Sequence, residues 1–456
     1  MRIAAGGLRR YSVGKLLSLI YRALSLAGIP IHYLVTLGSK QTVPSSLVVL
    51  WPRLESIDET REQLWRAHYY LPDFEVVLWV NPRIGDAPLS KPDHVGEVKP
   101  LPQRHLLVRD TRTYVSYLWR VLRQGGKLLI WRKPKVRGYS LLLAFLASIC
   151  APDVVDRFSD KWDGWSYIRV RTRLLEYQPD NLEYANRFIA YLDSLPRFDK
   201  CYVFGTGPSL ALADDLDFSD GYRIVCNTIV KDHTLLDRLR PHFIVAGDAI
   251  YHFGYTTFAY AFRSDLVHLL QSQDTLFVYP DLFDEIVRRE LYQVRSKLVA
   301  LPICTSDALR FNLNLRNFFC LPSVGNVFNL LLLPLASTVS KRIYMLGFDG
   351  RAPNDNFFWK YSDRHFYTQH FNALQHAHPA FYSLTDYEDY QRGTMDTEAE
   401  HLFSEGERKD IHYIPMTPSF SESLARRWRA GWFIERSVDE QALLREWEKD
   451  FQTGED

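Results

Sequence analysis

The sequence predicts an α/β protein: a doubly wound, Rossmann-like and mostly parallel sheet in its C-terminal half, a smaller N-terminal α/β domain, and a helical C-terminal tail. Short apolar runs recur from Lys200 onward, and helical patterns separate most of them, which is the alternation of a parallel sheet. The first of these runs ends in a glycine turn that opens a helix. The chain has 456 residues, more than one ordinary core uses and enough for two domains.

Apolar residues make up 46% and charged residues 24%, the balance of a globular protein, which sets aside disordered, collagen-like and disulfide-scaffold classes. Lys and Arg number 55 against 54 Asp and Glu, so the net charge of +1 supplies no field to attract nucleic acid, and no nucleic-acid partner is expected. The aromatic share of 14%, with 11 Trp, suits a large core or a surface that faces carbohydrate.

Residues 15 to 37 are largely apolar but broken by Arg22, Gly28, Pro30 and His32, so they read as a core helix followed by a strand rather than a membrane span. SSLVVLWP at 45 to 52, a charged helical stretch over 56 to 68 and FEVVLWVNP at 74 to 82 form a strand, helix and strand, hence a parallel pair. A Pro-, Gly- and Lys-rich loop covers 82 to 103; a helix, a Gly-Gly stop and a strand follow, and then an apolar helix over 139 to 152. The mixed, polar stretch 156 to 197 carries a helix over 181 to 195 and marks the domain boundary, which gives an N-terminal domain of residues 1–195. Seven strands are expected after it, at CYVF, 222 to 228, 242 to 248, 275 to 280, 297 to 302, 342 to 350 and 410 to 418, within a domain of residues 196–420. The glycine-started apolar stretch 323 to 338 reads as a helix under that sheet.

The tail, 421–456, reads as one or two amphipathic helices. Docking on the body is the plainer expectation; peripheral attachment to a membrane surface is the second, because Arg426, Arg427 and Arg429 cluster beside Trp428. The five cysteines, Cys150, Cys201, Cys226, Cys304 and Cys320, lie mostly in apolar runs without a CxxC pair. They read as reduced core residues, which with the lack of a leader-like segment points to the cytoplasm.

Gly205, Thr206, Gly207, Pro208 and Ser209 follow an apolar strand and open a helix, where backbone N–H groups converge on an anion. The loop lacks the third glycine of the dinucleotide fingerprint and the Gly-Lys-Ser/Thr of a P-loop, which lowers NAD enzymes and ordinary ATPases; a plain tight turn is the alternative. Asn227 and Asp248 end the next two strands, at the edge where open α/β sheets bind ligands. Asn227 suits a base or ribose edge and Asp248 a ribose or sugar hydroxyl, with turn capping as the alternative for both. Ser323-Val324-Gly325-Asn326 offers a second helix start, and Gly347-Phe348-Asp349-Gly350 brings a carboxylate to the same edge.

GTGPSL after a strand, Cys-Asn at the end of the next, the Ser-x-Gly-Asn helix start and the LGFDG strand end resemble the bacterial sialyltransferases of glycosyltransferase family 42. They equally resemble the domain-of-unknown-function 115 proteins, which include flagellin-modifying motility accessory factors and a pterin diphosphokinase. The resemblance covers residues 198 to 420. It implies a metal-independent glycosyltransferase moving a sialic-acid-like sugar from a cytidine-nucleotide donor to a glycan or protein acceptor, in bacterial surface polysaccharide or glycoprotein assembly. It implies that Gly205 to Ser209 cradle the nucleotide phosphate, that Asn227 meets the nucleotide, and that Ser323, Gly325 and Asn326 meet its base and ribose.

This sequence departs from the family at the catalytic histidine, whose position falls near Gly393 and Thr394. The lid, 354–392, offers His365, His370, His376 and His378 instead, with Tyr361, Tyr367, Tyr382 and Tyr390 to hold a leaving phosphate. Imidazole suits a base that must titrate near neutrality. His378, fixed before a proline, is the first choice and His370 the second. No metal ligand set is expected, since no Cys or acidic partner stands at ligand spacing from the HxH pair. Two rival readings are a pterin-type diphosphokinase using ATP and magnesium on Asp248 and Asp349, and a non-catalytic nucleotide-binding assembly protein.

Overall fold

The computed structural model describes residues 47–84, 90–98, 104–124, 126–131, 164–352, 362–378, 389–429 and 436–453. The elements expected over 15 to 37 and 139 to 152, together with Cys150, Tyr361 and Tyr382, lie outside the described residues. The protein is α/β, and among the described residues it has one four-stranded and one seven-stranded sheet, both parallel. Two compact units hold them. The first runs to Tyr177 and takes in Gly254–Thr257 and Gln375–Ser383; the second begins at Gln178 and contains the rest, so the division falls inside the stretch 156 to 197.

In the first unit, β1 (Leu47–Leu54) is an almost continuous apolar run, as a strand covered on both faces must be, and pairs with β2 (Glu75–Val80) and β4 (Lys127–Ile130). Helix α1 (Ile57–Tyr70) starts where Ser56 accepts the Glu59 N–H and Glu59 reaches back to the Glu55 N–H. Helix α2 (Thr111–Gln124) packs through Tyr114, whose ring stacks on Trp79 at 4.4 Å and whose hydroxyl donates to the Leu50 carbonyl. Two elements were not foreseen. Strand β3 (His105–Val108) has only four residues and extends the sheet beside β2. Helix α3 (Trp165–Leu174) interleaves Arg with Ile and Val, a pattern without a clear period, and buries Arg171 through bonds to the Tyr70 carbonyl and Asp73.

In the second unit, all seven expected strands form: β5 (Lys200–Phe204), β6 (Gly221–Cys226), β7 (Phe243–Val245), β8 (Leu276–Pro280), β9 (Leu298–Leu301), β10 (Arg342–Leu346) and β11 (His412–Pro415). Their order is β11-β10-β5-β6-β7-β8-β9. The chain therefore winds outward from β5 to β9, then returns to the other side of β5, which makes the β5/β10 border the topological switch point. Helix α4 (Asn181–Ser194) belongs to this unit, with buried Tyr184 donating to Asp284 and Phe188 packed near Phe243.

The apolar stretch after Ser323 begins with a wide π turn, Phe328–Leu332, before helix α9 (Leu333–Val339). Pro334 lacks the N–H that an α-helical register needs there. In the tail, α12 (Glu422–Ala425) and α13 (Val438–Thr453) form. Glu440 accepts the Asp217 N–H and Arg436 bonds the Tyr202 hydroxyl, so the tail docks on the second unit. Arg427 is tied to Glu400 and Glu407, which removes it from the basic cluster proposed for a membrane surface. Among the described residues, no helix is long and apolar enough to cross a membrane.

Cys304 and Cys320 form a disulfide, which corrects the expectation of five reduced cysteines. The physical reason is local pairing: the Cys304 N–H donates to the Leu321 carbonyl and the Leu321 N–H to the Pro302 carbonyl, which lays the two residues side by side. Cys201 and Cys226 are buried thiols, and burial pushes Cys226 up to about 12.

Candidate functional site

At the switch point the loop after β5 meets the loop after β10. The Gly205 N–H donates to Leu346, the Gly207 N–H to Gly347, the Gly347 N–H to the Ser209 hydroxyl, and the Ser209 N–H to Asp349 Oδ2 at 3.2 Å. A β-carbon on Gly205 would stand 2.3 Å from the Gly347 carbonyl, and one on Gly207 2.1 Å from Asp349 Oδ2. Glycine is thus required for two backbones to touch, and Gly347 also holds a left-handed φ of +82°. The Gly205, Gly207 and Ser209 N–H groups are engaged inside the protein, so a phosphate here would compete with the Asp349 carboxylate for the Ser209 N–H. The helix that follows is a 3-10 segment, Pro208–Asp214, too short to add much dipole.

The turn before the π segment is closed in the same manner. The Gly325 N–H donates to Glu398 Oε2 at 2.7 Å, and Asn326, at φ +61°, caps the turn by accepting the Phe328 N–H. The Ser323 N–H donates to the Arg310 carbonyl. Glu398 opens helix α11 (Glu398–Glu407), and burial raises its carboxyl above the ordinary range against the pull of the Gly325 N–H.

Asn227 and Asp248 are at the carboxyl ends of β6 and β7, as expected. Asp248 caps a turn, accepting the Ile250 and Tyr251 N–H groups at 2.7 and 2.9 Å. Asn227 does not cap: it holds φ +49°, and its buried Oδ1 has no hydrogen-bond partner among the described residues. Tyr390 lies within electrostatic reach of Asp248 and Glu398; burial first, then those two carboxylates, push its phenol up.

The histidines separate by place. His378, the first choice, lies in the Gln375–Ser383 stretch of the first unit, where His376 stacks on His94 at 4.5 Å. His370 belongs to the second unit, and burial together with Lys231 lowers it. Of the four histidines, His365 is the buried one. It is 2% exposed, its Nε2 lies 3.1 Å from Asp232 Oδ2, and its Nδ1 has no partner among the described residues. The carboxylate favours the proton on Nε2, which leaves the Nδ1 lone pair as an acceptor.

Helix α5 (His233–Leu239) holds Asp232 as its N-cap through the Leu235 N–H, and Arg364 pairs with the same carboxylate at 2.6 Å. Lys231 clamps the neighbouring chain by donating to the Phe366 carbonyl at 2.8 Å. Asp232 follows Asn227 within one short 3-10 turn, Asn227–Lys231, so the pair lies beyond the end of β6. Burial lowers the His365 imidazole, with Asp232 opposing, which keeps the ring neutral at pH 7. Sequence could not join the pair: 133 positions separate them.

Among the described residues, no three His, Cys, Asp or Glu side chains are grouped to hold a metal ion. Asp248 and Asp349, the carboxylates considered for magnesium, hold backbone N–H groups. No family model, no curated protein and no solved structure matches this chain, so its function is argued from the geometry of the second unit.

Proposed function

We propose that the second unit is a glycosyltransferase that takes a sugar from a cytidine-nucleotide donor, with His365 as the base. The observation that carries this reading is the His365–Asp232 pair, a neutral, oriented imidazole with one lone pair that lacks a donor among the described residues. A buried acceptor left bare costs about 1–3 kcal/mol, which an acceptor hydroxyl would recover. Asn227 Oδ1, at the end of β6, is a second acceptor without a partner among the described residues and suits an amino or hydroxyl donor on the nucleoside. The switch-point topology and the resemblance of the strand-end motifs to family 42 supply the substrate class.

In the reaction, Nδ1 of His365 takes the proton of the acceptor hydroxyl. The acceptor oxygen forms a bond to the anomeric carbon, and the bond from that carbon to the phosphate oxygen breaks. The electron pair leaves with the phosphate. Asp232 then faces an imidazolium, whose charge it stabilises. Divalent metal is not required in this scheme. The setting we propose is glycan or glycoprotein assembly on the cytoplasmic side of the membrane.

The test is release of cytidine monophosphate from cytidine monophosphate-linked sialic acid, with excess chelator present. The wild-type protein should turn over and His365→Asn should not. Full activity in the variant, or activity only when magnesium is restored, would overturn the reading.

A further inference from the structure

A cavity of the second unit opens between the helical stretch that begins at Tyr390 and the turn that carries α12; Arg392, Asp396, Glu400, His401, Ser423 and Arg426 line most of it. Asp396 is 8% exposed. Its Oδ1 accepts from the Ser421 hydroxyl, from the Ser423 hydroxyl at 2.8 Å and from the Ser423 N–H at 3.3 Å. Its Oδ2 is buried and has no partner among the described residues. A carboxylate served by three donors on one oxygen is fixed in place by the protein, and the other oxygen remains an acceptor whose donor must come from elsewhere.

The walls repeat the same chemistry. Arg427 holds Glu400 from behind through a pair of bonds at 2.7 and 2.9 Å, so that carboxylate too is oriented before any ligand arrives. Arg426 pairs with Glu422 at the edge of the cavity. A small cavity that offers fixed carboxylate acceptors beside guanidinium donors suits a molecule that gives and takes hydrogen bonds at neighbouring atoms, which is the pattern of vicinal hydroxyls on a sugar ring. A simple anion would meet the bare carboxylate oxygen.

The cavity also adjoins the switch-point loops. The Phe420 N–H donates to the Asp349 carbonyl, and a β-carbon on Gly350 would stand 2.6 Å from the Ser421 nitrogen.

We propose that this cavity is a carbohydrate subsite, with Asp396 Oδ2 accepting from a sugar hydroxyl. Its role as the acceptor subsite rests on the proposed transferase reading; sugar binding itself does not.

Saturation-transfer NMR on the full chain, with lactose and with glucuronic acid as probes, tests it. Asp396→Asn keeps an acceptor for the two serines and puts an amide donor where Oδ2 stood. Thr397→Trp fills the mouth from an exposed position and leaves Asp396 intact, so it answers the question if the first variant fails to fold. Wild-type protein should saturate at least one sugar; Asp396→Asn should weaken that binding about tenfold or more, the loss of one hydrogen bond to a charged group, and Thr397→Trp should block it to a similar or greater extent. Cytidine monophosphate should stabilise all three proteins alike. No saturation of either sugar, equal saturation in both variants, or displacement of the sugar by inorganic phosphate at equal concentration would overturn the subsite. Sugar binding without any response to the nucleotide would leave the subsite standing and remove the transferase reading.

Discussion

His242 and His365 are both buried imidazoles of the second unit, both lowered by burial, and they differ in what their ring nitrogens meet. Nδ1 of His242 accepts the Arg223 backbone N–H at 3.1 Å, whereas Nδ1 of His365 has no partner among the described residues. The first ring spends its lone pair on the ladder between β6 and β7. The second has its other nitrogen held by Asp232 and its lone pair without a donor among the described residues. Burial and a lowered pKa are thus common to a histidine bonded into the sheet and to the one we propose as a base, and their hydrogen bonds separate them.

Substitution of the two rings sharpens the contrast most. His365→Asn should cut turnover by about a thousandfold, the usual weight of a general base, with unfolding by urea little changed. His242→Asn should do the opposite and lower stability while turnover per folded molecule is kept. Equal effects of the two on turnover would break the comparison. Asp232→Asn keeps the helix cap, since Asn caps as well as Asp, but removes the charge that faces the imidazolium. Turnover should fall about tenfold to a hundredfold, with an altered pH profile.

A smaller effect is expected at the glycine loop. Gly207→Ala drives a methyl into Asp349 and the Gly347 carbonyl. It should cost about 3 kcal/mol in urea unfolding, the upper end of overpacking. Little loss would show that the two loops part readily and free their donors for a phosphate.

The pH dependence is of similar size and its sign is fixed. His242 falls from the ordinary 6.5 to about 4 in the folded protein, chiefly through burial. The unfolded chain therefore takes up its proton first. Stability is full above pH 6.5 and declines as pH falls toward 4, by about 2–3 kcal/mol for this ring. Urea midpoints measured at pH 7.5, 6 and 5 should decrease in that order in the wild type and less steeply in His242→Asn. The smallest effect is expected from Asp349→Asn, which keeps an acceptor for the Ser209 N–H and should cost about 1 kcal/mol.

Much of the fold was legible because its signals are local. The seven strands of the second sheet are apolar runs between helical patterns, and the charged stretch from 56 and the stretch from 181 read as helices, which form as Ile57–Tyr70 and Asn181–Ser194. Four-residue β3 and Arg-interleaved α3 were not legible, since neither holds a period long enough to see. The site divides in the same way. Gly205, Gly207, Gly347 and Asp349 stood out as motifs, and the sequence placed them correctly at one edge, yet it could not show that their donors close on one another. Asp232 and His365 carry no motif, and only the fold brings them together.

The most direct test of the account is thermal unfolding with cytidine, uridine, guanosine and adenosine monophosphates in turn, on the wild type and on Asn227→Ala. The account predicts stabilisation by the cytidine nucleotide above the other three, and its loss when the bare Asn227 carbonyl is removed. No shift with any nucleotide, or the same shift in both proteins, would contradict it.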